Sequence, residues 1–343
     1  MSVLSFFDID NCYARLDHYG DPLENLTKVV DWRGLSVLMG TIQFEGGGTK
    51  GRVPMNGLMM AKIMILQSYY NLADDACEFM INDRLSFKRF LGLELVDKSP
   101  DSKTIWLWRE RIKHSALDRK IFEWFQDALA KASYCGSKGQ IIDATFVPTH
   151  KPMGKHKKQL SEGIPLTTDQ NRQRDCDATF TKKGGKTYHG YKNHIVVDRE
   201  HKLIRSFDVT TASTHDSQVF MDLLSPPGEN WTEEDVCVWA DSAYRSEEAE
   251  SALAMGKLSS RVHERAYRNR PLTEGQKAEN RERSRVRARV EHVFGHVTTA
   301  MGGFGIHTLS LARARVKTMF KNLAYNLQRF VFLEKRRRHK SYA

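Results

Sequence analysis

Apolar residues change their spacing along the chain near residue 134. Residues 1–50 have a weak pattern that ends in the glycine-rich stretch FEGGGTKGR, which predicts an N-terminal arm and a hinge. From residue 51 to residue 133, apolar residues recur with helical spacing, as in LMMAKIMILQSYYNL and DRKIFEWFQDALAKAS. The spacing predicts a small all-helical domain. Its short successive helices fit a DNA-end-binding helix-turn-helix domain and fit equally a packing or dimerisation domain.

Beyond residue 134 the apolar positions alternate or run continuously, which is typical of strands. The predicted strands are QIIDATFV, a hairpin of TYHGYKNHIVVD and HKLIRSFDVTTAS, EDVCVWADSAY and LSSRVHER. The predicted helices are THDSQVFMDLL, SEEAESALAMG and two long segments at about 275–300 and 308–338. The lysine-rich residues 149–187 have no core pattern and predict a flexible basic loop. The order of these elements predicts one α/β domain over residues 134–343, with a sheet covered by helices on both faces.

The net charge of the chain indicates what kind of partner it binds. Lys and Arg number 53 against 42 Asp and Glu, a net charge of +11, which favours an anionic partner such as nucleic acid over an ordinary basic enzyme. The five cysteines form no CxxC pair, so neither a zinc site nor a disulfide framework is indicated. The N-terminus lacks the basic start of a signal peptide, and no apolar run approaches the roughly 18 residues of a membrane span. We therefore expect a cytoplasmic protein without a membrane partner.

Two predicted core strands carry an acid. Asp143 interrupts the apolar run of IIDAT, and Asp241 follows VCVWA, at the end of its strand where ligand sites of open α/β sheets lie. A buried carboxylate is costly unless a cation, a hydrogen-bond donor or a proton accompanies it. For either residue alone, the alternative is a cap on a turn at the end of the strand.

A third acid lies on the helix predicted at about 275–300. Its apolar stripe consists of Val286, Val290, Val293, Phe294 and Val297. Glu291 flanks this stripe, and Arg287 precedes Glu291 by one helical turn, which is also the spacing of a simple surface ion pair. Three carboxylates from separate elements suit hard divalent cations. Two Mg²⁺ ions so held activate an attacking oxygen and stabilise a leaving oxygen in phosphoryl transfer, the chemistry of a nuclease or a strand-transfer enzyme.

The ordered set of acids resembles the DDE transposases of bacterial insertion sequences. Asp143 in IIDAT, Asp241 in WADSAY and Glu291 in RARVEH are separated by 97 and 49 residues. GRVPMNGLMMAKIMILQSYYNLADDACEFMINDRLSFKRFLGL with PDSKTIWLWRERI is similar to the helical N-terminal domain of that family. KKGGKTYHGYKNHIVVD with VTTASTHDS is similar to the strands between its first two acids.

The resemblance implies a ribonuclease-H-like α/β fold, a mixed sheet flanked by helices and preceded by a small all-α domain. It implies that Asp143, Asp241 and Glu291 are catalytic and bind two Mg²⁺ or Mn²⁺ ions per active site, with Arg287 in support. The family hydrolyses DNA at the terminal inverted repeats of its element and joins the 3′-hydroxyls to target DNA, acting as a homodimer or a larger assembly on double-stranded DNA. From that role we expect the protein to lie in the bacterial cytoplasm, associated with the nucleoid.

Two positions depart from the wider family signature, which reads Tyr, two residues, Arg, three residues, Glu, six residues, Lys. Arg287 and Glu291 fit it, but Ser284 stands at the Tyr position and Thr298 at the Lys position. The Lys is expected to contact phosphate near the cut bond. Thr298 therefore keeps one alternative open, an inactive or domesticated DNA-binding relative. A metal-dependent nuclease without strand transfer is a further alternative.

Basic residues near these acids are the predicted DNA contacts. Lysines in and after the basic loop fit phosphate contacts without sequence reading, and arginines four residues apart on the Glu291 helix could follow a DNA backbone. The alternative for both groups is a solvated surface. The predicted contacts are Lys182, Lys183, Lys186, Lys192, Arg281, Arg285 and Arg289.

Overall fold

The computed structural model describes residues 8–43, 54–136, 138–149, 165, 167–172, 175–226, 231–267 and 270–341. The described chain forms two compact units. One comprises the residues up to Ala132 together with those from Leu323 onward, and the other runs from Ser133 to Asn322. Within the described residues, no helix combines the length and the apolar character needed to cross a bilayer.

The first unit is helical from its first described residue. Its helices are α1 Asp8–Tyr19, α2 Pro22–Val29, α3 Arg33–Gly40, α4 Gly57–Tyr70, α5 Asp74–Asp83, α6 Leu85–Leu91, α7 Ser102–His114 and α8 Asp118–Lys131. The helical prediction for residues 51–133 is confirmed in the described part of that range. Helix α4 is apolar nearly all round because it lies in the core, where Met60, Ile63 and Leu66 are buried.

Helices α1–α3 occupy the segment that the weak pattern assigned to an arm. Asp21 caps α2 by accepting a hydrogen bond from the Leu23 N–H, and Pro22 follows it at the first helical position. Leu23, Leu26, Leu35 and Met39 are buried. These helices are too short for their apolar stripes to stand out in the sequence. The glycine-rich hinge lies outside the described residues.

The second unit contains a six-stranded mixed sheet. Its strands are β1 Gln140–Pro148, β2 Thr179–Lys183, β3 Lys186–Asp198, β4 Ile204–Thr211, β5 Cys237–Trp239 and β6 Ser259–Ser260. Strand β3 pairs antiparallel with β1, β2 and β4, whereas β1 and β5 pair in parallel, as do β5 and β6. The short helices α9 Thr168–Arg172, α10 Phe220–Leu223 and α11 Glu247–Met255 precede the long helices α12 Glu274–Ala300 and α13 Leu311–Ser341.

Helices cover both faces of this sheet. On one face, Ile142, Val196 and Val238 pack in an apolar cluster with Phe220 of α10 and Leu253 of α11. On the other face, α12 contacts β1 and β5, and its apolar stripe is buried at Val290, Val293 and Val297. The predicted fold class, a mixed sheet flanked by helices and preceded by a helical region, is therefore confirmed.

Part of the predicted basic loop folds as a hairpin. Residues 150–164, 166 and 173–174 lie outside the described residues, but β2 and the start of β3 pair across the turn Gly184–Gly185. Both glycines have positive φ, +57° and +77°, which a tight hairpin turn requires. The flexible-loop prediction is wrong for residues 179–187. The hairpin is polar on its exposed side, so its alternation of apolar and polar residues is too weak to indicate strands.

Only a short part of the predicted strand LSSRVHER forms a regular β-strand. Only Ser259 and Ser260 count as β6, yet the backbone continues along β5. The Arg261 N–H donates to the Val238 carbonyl at 2.8 Å, and the His263 N–H donates to the Ala240 carbonyl at 3.1 Å. This extension brings His263 beside the end of β5.

Candidate active site

The parallel pairing of β1 with β5 aligns two of the predicted acids. Ile141 pairs with Trp239, so continuing this register two residues along each strand brings Asp143 level with Asp241. Residues level with each other on neighbouring strands project to the same face. Asp143 and Asp241, named here the carboxylate pair, are therefore neighbours on the face that α12 covers.

Asp143 is largely buried, and each of its carboxylate oxygens accepts one hydrogen bond. Its side chain is 14% exposed, its Oδ1 accepts from the Ala144 N–H at 2.8 Å, and its Oδ2 accepts from Arg287 Nη2 at 3.0 Å. Burial raises the pKa of Asp143, and the negative charge of Asp241 raises it further, although Arg287 opposes both effects. The residue is thus a desolvated carboxylate with one neighbouring cation and one neighbouring anion.

Asp241 begins a 3₁₀ turn, Ser242–Tyr244, directly after β5. Its Oδ1 accepts a hydrogen bond from the Ala243 N–H at 2.8 Å, so Asp241 does cap the turn, as the alternative explanation of this acid predicted. In the described part of the chain, no hydrogen bond reaches Oδ2. The cap fixes the rotation of the carboxylate and leaves this second oxygen with its acceptor capacity unused.

Helix α12 presents one flank to the carboxylate pair. Thr273 and Gln276 form a capping box that fixes its start. Successive residues turn by about 100°, so Ser284, Arg287 and Glu291 lie within about 60° of one another around the axis. Two residues of that flank make contacts: Ser284 Oγ lies 3.3 Å from His263 Nε2, and Arg287 bonds Asp143. The sequence paired Arg287 with Glu291; in the structure its partner is Asp143.

Glu291 stands one turn beyond Arg287 on the same flank, about 6 Å further along the axis. Its side chain is exposed and forms no hydrogen bond or ion pair with another described residue. Across the described ranges, no group of three His, Cys, Asp or Glu side chains converges closely enough to hold a metal ion. The structure therefore brings Asp143, Asp241 and Arg287 together, and leaves Glu291 beside them without contact.

Three further residues surround the carboxylate pair that the sequence analysis did not assign to the site. His263 lies in the extended segment after β6 that runs beside the end of β5. Its burial and the positive charge of Arg287 lower its pKa. Tyr244 closes the turn that Asp241 begins, and Asp216 lies in the 3₁₀ turn Asp216–Val219, which packs against that turn. Two of them had a local signal, because Tyr244 belongs to the WADSAY stretch and Asp216 to the VTTASTHDS stretch.

The predicted DNA contacts separate into three groups. Lys182, Lys183 and Lys186 are exposed at the tip of the β2–β3 hairpin, and Lys183 Nζ lies 6.0 Å from the centre of the Phe146 ring. Lys192 is instead largely buried. Its Nζ donates to Asp216 Oδ1 at 2.8 Å and to the Thr214 carbonyl at 2.7 Å. These contacts give its ammonium group a structural role.

The third group is the arginine row of α12. Arg281 and Arg285 are exposed, whereas Arg289 Nη1 donates to the Arg199 carbonyl. Helical geometry turns this row about 120° away from the flank that carries Arg287 and Glu291. No contact joins these arginines to the carboxylate pair among the residues that the structure describes.

Comparison with known families agrees with this architecture. A family model described as "Transposase DDE domain" matches residues 134–327, which is more than half of the chain. A second model, described as "Transposase domain (DUF772)", matches residues 10–111. A solved structure titled "Cryo-EM structure of piggyBac transposase synaptic complex with hairpin DNA (SNHP)" is similar at 11% sequence identity and a TM-score of 0.42, covering 89% of this chain and 71% of that chain. On the match of the DDE domain model, the chain belongs to the DDE transposase family.

Proposed function

We propose that this chain cuts DNA at the terminal inverted repeats of its own element and joins the freed 3′-hydroxyls to target DNA. The observation that carries the proposal is the carboxylate pair: two acids from distant parts of the sequence are neighbours, Asp143 on β1 and Asp241 two residues beyond the end of the parallel strand β5. A sheet has no structural need for two neighbouring acids, because their charges repel and the burial of Asp143 is costly. A shared cation removes both penalties.

The donors of this site fit a hard divalent cation. Asp143 and Asp241 offer carboxylate oxygens, the ligands that Mg²⁺ and Mn²⁺ take in proteins, and burial raises the pKa of Asp143 even beside Arg287. Asp143 and Asp241 would hold the metal, and Glu291 is the proposed third ligand because it shares the flank of Arg287. When bound, the metal ions supply positive charge for the attacking and leaving oxygens of phosphoryl transfer.

The protein groups around the metal ligands have positioning roles in this proposal. The Ala144 and Ala243 N–H groups each hold one carboxylate oxygen at 2.8 Å, so the acids keep their orientation before DNA arrives. Arg287 holds the remaining oxygen of Asp143 at 3.0 Å. It also supplies a positive charge one helical turn from Glu291, on the side where a scissile phosphate would approach.

The proposed DNA contact outside the site is the β2–β3 hairpin. Lys182, Lys183 and Lys186 project exposed ammonium groups from a narrow tip, which suits phosphate contacts that carry affinity without sequence reading. Arg281 and Arg285 remain proposed contacts for a neighbouring stretch of duplex. Lys192 is omitted because its ion pair with Asp216 occupies it. Pairing of two element ends by a homodimer or a larger assembly completes the proposal.

The test is cleavage of a labelled duplex that carries the inverted repeat flanking the gene. Asp143→Asn and Asp241→Asn should each lower Mg²⁺-dependent cleavage at least about a hundredfold, because each removes a charged metal ligand. Duplex binding in the absence of metal should be retained. Asp222→Asn, an exposed aspartate on α10, is the matched control and should cut at the wild-type rate. Undiminished cleavage by both site variants would exclude this active site.

The same assay separates the two alternatives. Thr298 is exposed on α12, and its hydroxyl donates to the Phe294 carbonyl of its own helix, so it offers no cation to phosphate. A wild-type protein that binds the repeat but cuts nothing in Mg²⁺ or Mn²⁺ would be a DNA-binding relative. A protein that cuts but joins no labelled end to a target plasmid would be a nuclease without strand transfer.

A further inference from the structure

His263 stands level with Asp241 on the neighbouring extended segment. The hydrogen-bond pattern that pairs Cys237 with Ser259 repeats two and four residues further along the two segments. At the last repeat, the His263 N–H donates to the Ala240 carbonyl at 3.1 Å, which sets His263 level with Asp241. Neighbouring strands lie about 4.8 Å apart, so the two residues are adjacent and project to the same face.

The face to which His263 projects is the face of the carboxylate pair. Val262, the residue before it, is buried in the apolar cluster on the opposite face of the sheet. His263 therefore points toward α12, where its Nε2 lies 3.3 Å from Ser284 Oγ. One turn further along the same flank, Arg287 bonds Asp143 at 3.0 Å. The imidazole and the carboxylate pair thus lie under the same flank of α12.

Hydrogen bonds to α12 fix the backbone on both sides of His263. Arg283 donates to the Val262 carbonyl at 2.6 Å. Glu264 and Asn280 exchange two hydrogen bonds: the Glu264 N–H donates to Asn280 Oδ1 at 2.9 Å, and Asn280 Nδ2 donates to the Glu264 carbonyl at 3.1 Å. The position of the imidazole is therefore set before any ligand arrives, as a preorganised site requires.

The contact with Ser284 decides which nitrogen of His263 carries the hydrogen. The Ser284 hydroxyl donates its single hydrogen to the Asn280 carbonyl at 2.8 Å, so it accepts from His263 Nε2. Burial, and then the positive charge of Arg287, lower the pKa of His263, which favours the neutral ring. Nδ1 then has a lone pair, and no described residue hydrogen-bonds to it. A metal-binding histidine has this form, with one ring N–H held by a neighbouring oxygen and the other nitrogen free to coordinate.

We propose that His263 is a metal ligand, which coordinates a divalent cation through Nδ1 together with Asp241 Oδ2. The inference rests on the proposed function, since it takes Asp241 as a metal ligand. Two protein ligands leave the other coordination positions to water and to phosphate oxygens of DNA, the usual arrangement for metal ions that act on phosphate. A nitrogen donor suits first-row transition metals better than Mg²⁺. The site should therefore hold Mn²⁺ more tightly than Mg²⁺.

Pulsed electron paramagnetic resonance of Mn²⁺ bound to the full-length chain tests this ligand, because a coordinated imidazole couples its nitrogen nucleus to the electron spin. The wild type should show this nitrogen coupling. His263→Ala should bind Mn²⁺ at least about tenfold more weakly and show no coupling at saturating Mn²⁺. Ser284→Ala keeps the imidazole but removes the acceptor of its Nε2–H, so it should retain the coupling and lose about tenfold in Mn²⁺ affinity.

His292→Ala is the matched control, because His292 is exposed on α12 and its Nδ1 lies 2.7 Å from Lys202 Nζ. It should keep both the coupling and the affinity. Asp143→Asn defines the Mn²⁺ signal that does not come from the site. If the coupling is missing from the wild type or survives in His263→Ala, or if Ser284→Ala binds Mn²⁺ as tightly as the wild type, the role of His263 is overturned and the metal site stands. If the wild type binds Mn²⁺ no better than Asp143→Asn, the metal site and the role of His263 are overturned together.

Discussion

Arg287 is the residue on which the metal-free site depends. Its side chain is 16% exposed and that of Asp143 is 14% exposed, so the two charges meet largely out of water. Breaking such a pair from one side leaves an uncompensated charge behind, which costs more than the pair itself contributes. Arg287 Nε is also buried without a described hydrogen-bond partner, so the guanidinium retains a free donor near the site.

A double-mutant cycle tests this pair. In EDTA, Arg287→Ala should destabilise the protein more when Asp143 is present than when it is replaced by Asn. We expect a coupling energy of about 1–3 kcal/mol from urea unfolding. The same cycle on Lys138 and Glu200, an ion pair with side chains 51% and 39% exposed, should give no more than about 0.5 kcal/mol. Additive effects at Arg287 and Asp143 would contradict the ion pair.

At the scale of elements, the β1–β5 register decides which acids become neighbours. Gly139 lies directly before β1 at φ +90°, where a Cβ would come within 2.3 Å of Trp239 Cζ3 and 2.6 Å of the Cys237 carbonyl oxygen. Glycine is thus required there twice, by its backbone conformation and by the close approach of β5. Any side chain at this position would push the two strands apart.

Gly139→Ala should therefore damage both the fold and the site. The matched control is Gly303→Ala, because Gly303 has a similar φ of +82° but open space around its Cβ position. The control should lose about 1–2 kcal/mol from its backbone conformation alone. Gly139→Ala should lose about 2 kcal/mol more, through the collision with β5, and should cut DNA more slowly. Urea unfolding and the cleavage assay measure the two effects. Equal losses of unfolding free energy in the two variants would show that β5 moves away from the new Cβ without a free-energy penalty.

Element prediction succeeded where apolar periodicity was strong and failed where it was weak. The segments at about 275–300 and 308–338 are the long helices α12 and α13, whose repeating apolar stripes left little ambiguity. The β2–β3 hairpin escaped prediction because its partners come from pairing across Gly184 and Gly185, and its exposed lysines mask the strand pattern. Tertiary pairing overrode a local composition typical of loops.

At the scale of the whole molecule, the net charge of +11 predicts that the proposed DNA binding is largely electrostatic. Each phosphate contact releases counterions, so affinity for any duplex should fall steeply as salt rises. Changing Lys182, Lys183 and Lys186 together to Ala should reduce the slope of log affinity against log salt by about 3, one unit for each lost contact. Lys257→Ala, an exposed lysine after α11, serves as control and should leave the slope unchanged. A triple variant with the wild-type slope would remove the hairpin from the DNA interface.

The sequence by itself determined the charge of the protein, its division into a helical and an α/β part, and the identity of the acids in their strands and helix. These properties are local, since each depends on residues close together in the chain. Only the tertiary structure decided that Asp143 stands level with Asp241, that Arg287 bonds Asp143, and that Lys192 is held by Asp216. Within the described part of the chain, it also leaves the buried Tyr244 hydroxyl without a hydrogen-bond partner. Such relations join residues far apart in the sequence, and they follow from strand register and helix packing, which no local pattern records.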